Sequence, residues 1–140
     1  ASMTDEIYAL YERYICQRHN DGDMYPPSIE QFEDFLCDSP SSSHTQFICF
    51  RLAQKLLAVA VVDILPKGVS AIYTFFDPDY HRRSLGRLAI LWQIRWGQSQ
   101  NMSFVYLGYW IKECQKMSYK TEYQPLEVFE GRVWQRLTPL

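Results

Sequence analysis

From Thr4 to Arg18 apolar side chains recur at three- and four-residue steps, at Ile7, Leu10, Tyr11, Tyr14 and Ile15, which predicts an amphipathic helix. The polar run His19-Asn20-Asp21-Gly22-Asp23 breaks it. Pro26-Pro27-Ser28 opens a second helix, where Ser28 and Gln31 have capping-box spacing and Ile29, Phe32, Phe35 and Leu36 form the stripe to be buried. Ser39-Pro40-Ser41-Ser42-Ser43 then reads as a loop. Three strand-like runs follow, Thr45 to Ala53, Leu56 to Leu65 and Val69 to Phe76. Their links, Gln54-Lys55 and Pro66-Lys67-Gly68, are short enough for hairpins, so the region predicts an antiparallel meander. A helix from Ser84 to Gln100 is expected next, with a wide apolar face through Leu88, Leu91, Trp92 and Ile94. Ser103 to Trp110 reads as a second buried strand, Ile111 to Met117 as a short helix or turn, and Tyr119 to Phe129 as an extended segment interrupted by Pro125.

The junction between the third strand and the long helix carries the first chemical hint. Tyr73-Thr74-Phe75-Phe76-Asp77-Pro78 leads into Arg82-Arg83-Ser84-Leu85-Gly86, so the helix is entered through an Arg/Ser/Gly turn. Such a turn offers backbone N–H groups and the positive end of a helix dipole to a phosphate. Charge changes the picture in the same place. The net charge is only -2, yet Arg82, Arg83, Arg87, Arg95, Lys112, Lys116 and Lys120 face Glu113 alone between Tyr80 and Lys120. A local basic face can hold a phosphate or an RNA end on an acidic protein.

At 140 residues, 47% hydrophobic and 16% aromatic, the chain is long and apolar enough to bury a core, and one domain over 1–140 is expected. No apolar run approaches the ~20 residues that span a bilayer, and no signal peptide opens the chain, so a cytoplasmic protein with no membrane partner is expected. Ala1-Ser2-Met3 reads as an addition ahead of a native start or of an internal truncation point. Cys16, Cys37, Cys49 and Cys114 lack the spacing of a zinc site and are read as reduced structural thiols. Asp77, Asp79 and His81 read as a turn rather than as metal ligands, and Asp21-Gly22-Asp23 is half a calcium loop without the remaining ligands, so no metal is expected.

The element order resembles the GNAT-type acyltransferase fold: α+β in three layers, a mostly antiparallel central sheet with two splayed strands, flanked by helices. Arg83-Ser84-Leu85-Gly86-Arg87-Leu88 resembles that superfamily's Q/R-x-x-G-x-G/A turn, with Leu88 in place of the last small residue. A closer resemblance runs through Asp21-Gly22-Asp23-Met24, Tyr73 to Pro78, Arg83 to Gly86, Tyr106-Leu107-Gly108-Tyr109-Trp110-Ile111 and Lys116-Met117-Ser118-Tyr119-Lys120. Together these are similar to the C-terminal domain of arginyl-tRNA-protein transferases, and to the bacterial aspartate/glutamate leucyltransferase branch in particular. The resemblance implies transfer of leucine, or less closely arginine, from charged tRNA to the N-terminal amine of proteins beginning with Asp or Glu, which marks them for N-degron degradation. Charged tRNA is then a co-substrate and no cofactor is implied. Family members carry a further N-terminal domain with a cysteine-containing region, to which nothing here corresponds.

An aminoacyl ester is already activated, so a neutral amine can attack it without an enzyme nucleophile. Arg82, Arg83, Ser84, Leu85 and Gly86 are assigned to the donor, gripping phosphate near the tRNA acceptor end. Tyr73, Asp77, Tyr106 and Tyr109 stand at the ends of the strands expected to splay and are the candidates for the reacting cleft. Asp77 could orient the amine or cap the turn before Pro78. Lys116 or Lys120, or one of the turn arginines, is expected to receive the acceptor's side-chain carboxylate. Two other activities use the same features: a CoA-dependent N-acyltransferase, with pyrophosphate on the turn, and a non-catalytic module that recognises acidic N-termini.

Overall fold

The computed structural model describes residues 2–37 and 44–137, and the side chains of His81 and Arg82 are outside the description. The loop expected at Ser39 to Ser43 also falls outside the described residues. The chain gathers into two compact units, 1–106 and 107–140.

In the first unit, helix α1 spans Asp5–Arg18 and begins where the Thr4 hydroxyl accepts from the Ile7 N–H (3.2 Å). Asp5 and Glu6 in its first turn and Arg18 in its last complement the helix dipole. All five residues of its expected stripe are buried. Helix α2 is a single turn, Ile29–Phe32, that runs on as a wider π-type turn over Glu33–Cys37. The Ser28 hydroxyl accepts from the Gln31 N–H (3.1 Å), as the capping spacing predicts. The change of helical pitch alters which side chains face inward: Phe32 and Leu36 are buried, whereas Ile29 and Phe35 are exposed.

Strands β1 (Thr45–Leu52), β2 (Lys55–Leu65) and β3 (Gly68–Phe76) form the expected antiparallel meander. β3 then crosses through a 3-10 segment, Pro78–Arg83, and helix α3, Leu85–Ser99, to the parallel strand β4, Phe104–Tyr106. The sheet order is β1-β2-β3-β4. Helices cover both faces, which explains the unbroken apolar run of β2. On the α1 side, Leu56, Val59, Val61 and Phe75 pack with Tyr11, Ile15, Phe32 and Leu36. Tyr11 is the hub, edge-on to Phe32 (4.9 Å) and Phe75 (5.5 Å), while its hydroxyl reaches the Met24 sulfur (3.6 Å). Each such ring pair contributes about 0.5–1.5 kcal/mol beyond area burial. On the other side, Ala60, Val62 and Val69 receive Ala89 of α3.

The buried line of α3 is Leu85, Ala89, Ile90, Gln93 and Gly97, and Leu88 and Leu91 of the expected face are exposed. Small residues at Ala89 and Gly97 let the helix lie close to the sheet, so the interface follows size as much as hydropathy. β4 is also shorter than the expected Ser103 to Trp110, because its pairing with β3 stops at Ser70↔Tyr106. Its first residue, Phe104, is exposed rather than buried.

The second unit holds a 3-10 segment at Gln115–Glu122, later than the expected Ile111 to Met117 helix. It ends in a hairpin of β5 (Leu126–Glu130) and β6 (Val133–Leu137). Pro125 precedes the first strand instead of interrupting an extended run from Tyr119. Phe129 and Trp134 pair across the hairpin at 5.2 Å. Among the described residues no helix is long and apolar enough to cross a membrane, and the four cysteines form no disulfide.

The β3-β4 contact has a built-in sensor at Gly68. A Cβ there would stand 2.4 Å from the Phe104 carbonyl oxygen and 2.9 Å from the Tyr106 ring. Gly68→Ala is expected to force the two strands apart and cost about 1–3 kcal/mol, read as a lowered urea midpoint.

Candidate functional site

The C-terminal end of β3 is fixed by one carboxylate. Asp77 is wholly buried, and Arg13 of α1 donates to it through both guanidinium ends, Nη1 to Oδ2 (3.0 Å) and Nη2 to Oδ1 (2.9 Å). Arg13 Nη2 also reaches Asp79 (3.1 Å), the Asp79 N–H donates to Asp77 Oδ1 (3.0 Å), and the Lys55 ammonium lies 3.7 Å from Oδ2. The Asp77 N–H donates to the Leu57 carbonyl (2.8 Å), and the Tyr80 N–H to the Asp77 carbonyl (3.0 Å). Burial alone would push the Asp77 carboxyl up, but the Arg13 guanidinium, the Asp79 N–H and the Lys55 charge together hold it below the ordinary carboxylate range. Of the two roles open to Asp77, the hydrogen bonds make capping of the turn a structural fact.

Beyond that anchor the chain enters α3 through Ser84 in the left-handed region (φ 51°, ψ 51°), with no side-chain cap on the helix. The first α-type bond runs from the Leu88 N–H to the Ser84 carbonyl (3.0 Å), so the N–H groups of Leu85, Gly86 and Arg87 precede the helical ladder. Leu85 is buried among Leu57, Ala58 and Phe76, and thereby plugs the turn onto the sheet. Its side chain is thereby committed to the core, which leaves the backbone as the part of Leu85 that a ligand could meet. Above Gly86 there is open space, with no atom within 4 Å of the place a Cβ would take. Arg83 is exposed beside it; the Arg82 side chain lies outside the described residues.

β3 and β4 pair over only three residue pairs, Gly68↔Phe104 to Ser70↔Tyr106, and β3 continues alone on that edge to Phe76. The opening starts at Tyr106, whose ring packs on Phe104 (5.9 Å). Just past the last pair, a bulge places Val61 opposite Tyr73 and Val62 opposite Ala71, leaving Ile72 as the extra residue. The consequence is a change of face. Val69 lies in the cluster with Ala89 of α3, whereas Tyr73 and Phe75 belong to the α1 side, a swap that strict alternation would forbid. The Tyr73 ring meets Tyr14 (6.3 Å) and Phe35 (5.7 Å) edge-on, and burial, with Tyr14 and Tyr11 beside it, pushes the phenol well above its ordinary value. At neutral pH Tyr73 can donate a hydrogen bond but cannot serve as a base.

In the second unit Gly108 adopts φ +83°, and the next residue's carbonyl, that of Tyr109, accepts from the Lys120 ammonium. Burial pushes the Lys120 ammonium below its ordinary value. The Tyr109 side chain is 89% exposed, and Lys116 is exposed on the 3-10 segment. Tyr73, Asp77, Tyr106 and the turn thus stand in the first unit, and Tyr109, Lys116 and Lys120 in the second. Arg13 was not among the residues singled out by sequence, and no local pattern marks it, since its partners are 64 and 66 positions away. Gln93 could have been found, as the one polar member of the line Leu85, Ala89, Gly97 at four-residue steps.

Residues 6–130 match the family described as arginine-tRNA-protein transferase, C terminus. Two relatives named aspartate/glutamate leucyltransferase, from Stutzerimonas stutzeri and Pseudomonas aeruginosa, are each 56% identical over 138 residues, 98% of this chain and 57% of theirs. A third of the same name, from Pseudomonas savastanoi pv. phaseolicola, is 57% identical over 134 residues, 95% of this chain and 56% of its own. The chain spans a little over half the length of these curated relatives. Among solved structures, the ribosomal-protein-S18-alanine N-acetyltransferase from Escherichia coli superposes with a TM-score of 0.59 at 15% identity, over 87% of this chain and 74% of that one. That likeness shows the GNAT-like α+β fold expected from the element order.

The Asp77 anchor gives a test of its own. A carboxyl held below its unfolded value contributes stability that is complete above the ordinary carboxylate range and is lost as pH falls through the folded value. Arg13→Met is expected to destabilise at neutral pH, at the lower end of the roughly 3–5 kcal/mol typical of orphaning a buried charge, because Arg13 itself keeps solvent contact. Asp77→Asn should flatten the acid limb of the stability–pH curve, read by urea unfolding between acid and neutral pH.

Proposed function

The chain belongs to the arginine-tRNA-protein transferase C-terminal family, and on that premise we propose that it moves leucine from charged tRNA to the N-terminal amine of proteins beginning with Asp or Glu, marking them for degradation. The observation that carries the reading is the uncapped start of α3. The backbone N–H groups of Leu85 and Gly86, open space over Gly86 and the exposed Arg83 support a phosphate site at the end of a strand that has lost its neighbour. The relatives' printed names supply the leucyl group and the acidic acceptors.

In this reading the 3′ end of the tRNA lies on the turn, and the aminoacyl ester enters the gap where β4 leaves β3. The acceptor's amine nitrogen attacks the ester carbonyl carbon and a tetrahedral oxyanion forms. The bond to the terminal ribose oxygen then breaks, that oxygen takes a proton, and the amine gives one up. An ordinary α-amine, with a pKa of about 7.7–8.0, is roughly one-tenth neutral at pH 7, so positioning supplies most of the catalysis. Tyr73, whose phenol keeps its proton, and the β3 edge amides beyond Ser70 are the donors suited to the oxyanion. Tyr106 stands where the gap opens, Asp77 acts by holding the turn in place, and Tyr109 is assigned to the reaction from the second unit by the family resemblance alone. For the acceptor carboxylate we assign Lys116 and Lys120; Lys120 spends one of its three donors on the Tyr109 carbonyl and keeps two. No cofactor enters the reaction, and the segment of the relatives beyond this chain is proposed as an intramolecular partner.

Transfer of labelled leucine or arginine from each charged tRNA to peptides beginning with Asp, Glu or Ala tests the reading. Leucine on the first two alone is expected; binding of acetyl-CoA with no transfer from tRNA would favour the CoA-dependent activity, and peptide binding without any transfer the non-catalytic one. The turn has a sharper test. Gly86→Ala meets no protein atom and gains up to about 1 kcal/mol of helix propensity, so it should raise the urea midpoint while weakening leucyl-tRNA binding. Arg83→Ala should weaken the same binding and reduce its salt slope by about one. Unchanged binding in both variants would remove the turn from the donor site.

A further inference from the structure

Gln93 is fully buried, and neither its side-chain oxygen nor its nitrogen has a hydrogen-bond partner among the described residues. Such a group is costly in a folded core, because it gives up water and receives nothing in return. A leucine or methionine would fill the same place without that cost. The amide therefore calls for an explanation outside the fold itself.

Its position supplies one. Gln93 sits on the sheet-facing line of α3, one turn before Gly97, where an added Cβ would stand 4.0 Å from a Val69 methyl of β3, and two turns after Leu85, which packs near Phe76. α3 returns antiparallel to β3, so one helical turn of about 5.4 Å from Gly97 corresponds to roughly two strand residues beyond Val69. That level is Ala71, immediately past Ser70, where β4 stops pairing. Gln93 thus underlies the point at which the strands part, on the α3 face, at the level where the bulge turns Tyr73 to the opposite face. The donor end of the proposed site begins on this same helix, at Leu85.

We propose that Gln93 binds the α-aminoacyl group of the donor in the gap between β3 and β4, an inference that rests on the function proposed above. An α-aminoacyl ester presents an amine donor and a carbonyl acceptor on adjacent carbons. A carboxamide presents the complement, Oε1 to accept from the amine and Nε2 to donate to the carbonyl oxygen. The Nε2 bond strengthens as that oxygen gains charge during attack, so the contact favours the transition state over the ground state. The amide is covered, so the donor reaches it as the strand ends part by the width of a side chain. A plain acyl donor has no amine for Oε1, and an N-acetylated one keeps a single uncharged N–H with added bulk beside it, so Gln93 favours a donor with a free amine.

The test uses the 140-residue chain and its Gln93→Met and Gln93→Glu variants, with leucyl-tRNA and N-acetyl-leucyl-tRNA as donors and an Asp-initiated peptide as acceptor. Gln93→Met should have an equal or higher urea midpoint, at least tenfold slower leucyl transfer with the peptide KM unchanged, and little remaining preference for the donor with a free amine. Gln93→Glu, which can accept from the amine but cannot donate to the oxyanion, should lose transfer at least as severely while keeping that preference in binding. Full transfer by Gln93→Met at an unchanged or raised midpoint would overturn the inference, and so would a loss of transfer matched by a loss of folding in both variants. Absence of leucyl transfer by the unsubstituted chain would count against the proposed function first, and this inference would fall with it.

Discussion

The rest of the first unit depends on the pairing of Arg13 with Asp77. A carboxylate with no solvent exposure is expensive, and it is tolerated here because a guanidinium fork meets both oxygens while a backbone N–H takes one of them a second time. Arg13 keeps water on its outer side, so the cost of desolvation falls on one ion rather than two. What the pair secures is position. It ties α1 to the last turn of β3, brings Asp79 under the same guanidinium, and so starts the 3-10 segment that delivers Ser84 and the Leu85 plug. An apolar pair could supply similar stability without fixing that geometry.

From this anchored corner two independent features converge on one place. The crossover from β3 through α3 to β4 makes the strands parallel, and their pairing lasts only three residues before β3 runs on alone. The bulge at Ile72 swaps the faces of β3 just beyond that point, setting Tyr73 on the α1 side while α3 keeps the other. An extended ligand entering the gap would find strand-edge amides, a phenol that holds its proton on one face and the amide of Gln93 on the other. The uncapped helix start lies two turns further along α3 from Gln93, at the end suited to phosphate. A phosphate-bearing donor with a reactive carbonyl at its tip matches that layout.

Much of the fold was legible because its signals are local. The α1 stripe, the Ser28 cap and the meander follow from spacing and turn chemistry over a few residues. The turn before α3 was legible too, through Arg83 to Gly86. What could not be read has a common cause in long-range geometry. Leu88 and Leu91 look like a core face, but α3 packs through Ala89 and Gly97, where closeness to the sheet outweighs hydropathy. The length of β4 depends on when its neighbour diverges, which Val105 and Tyr106 do not encode. Arg13 is one more charge on a helix until the fold brings Asp77 to it. β6 lies beyond the extended run expected to end at Phe129, and its mostly exposed residues carry no alternating apolar face to mark a strand.

The proposed donor site joins the start of α3 to the β3-β4 gap. Its most direct test is chemical-shift mapping of the isotope-labelled chain during titration with a leucylated acceptor-stem RNA. The backbone amides of Leu85 and Gly86 are expected to shift together with the Gln93 side-chain amide, with the same saturation point, and uncharged RNA is expected to move only the first two. Shifts confined to other surfaces, or a Gln93 amide indifferent to the leucyl group, would contradict it.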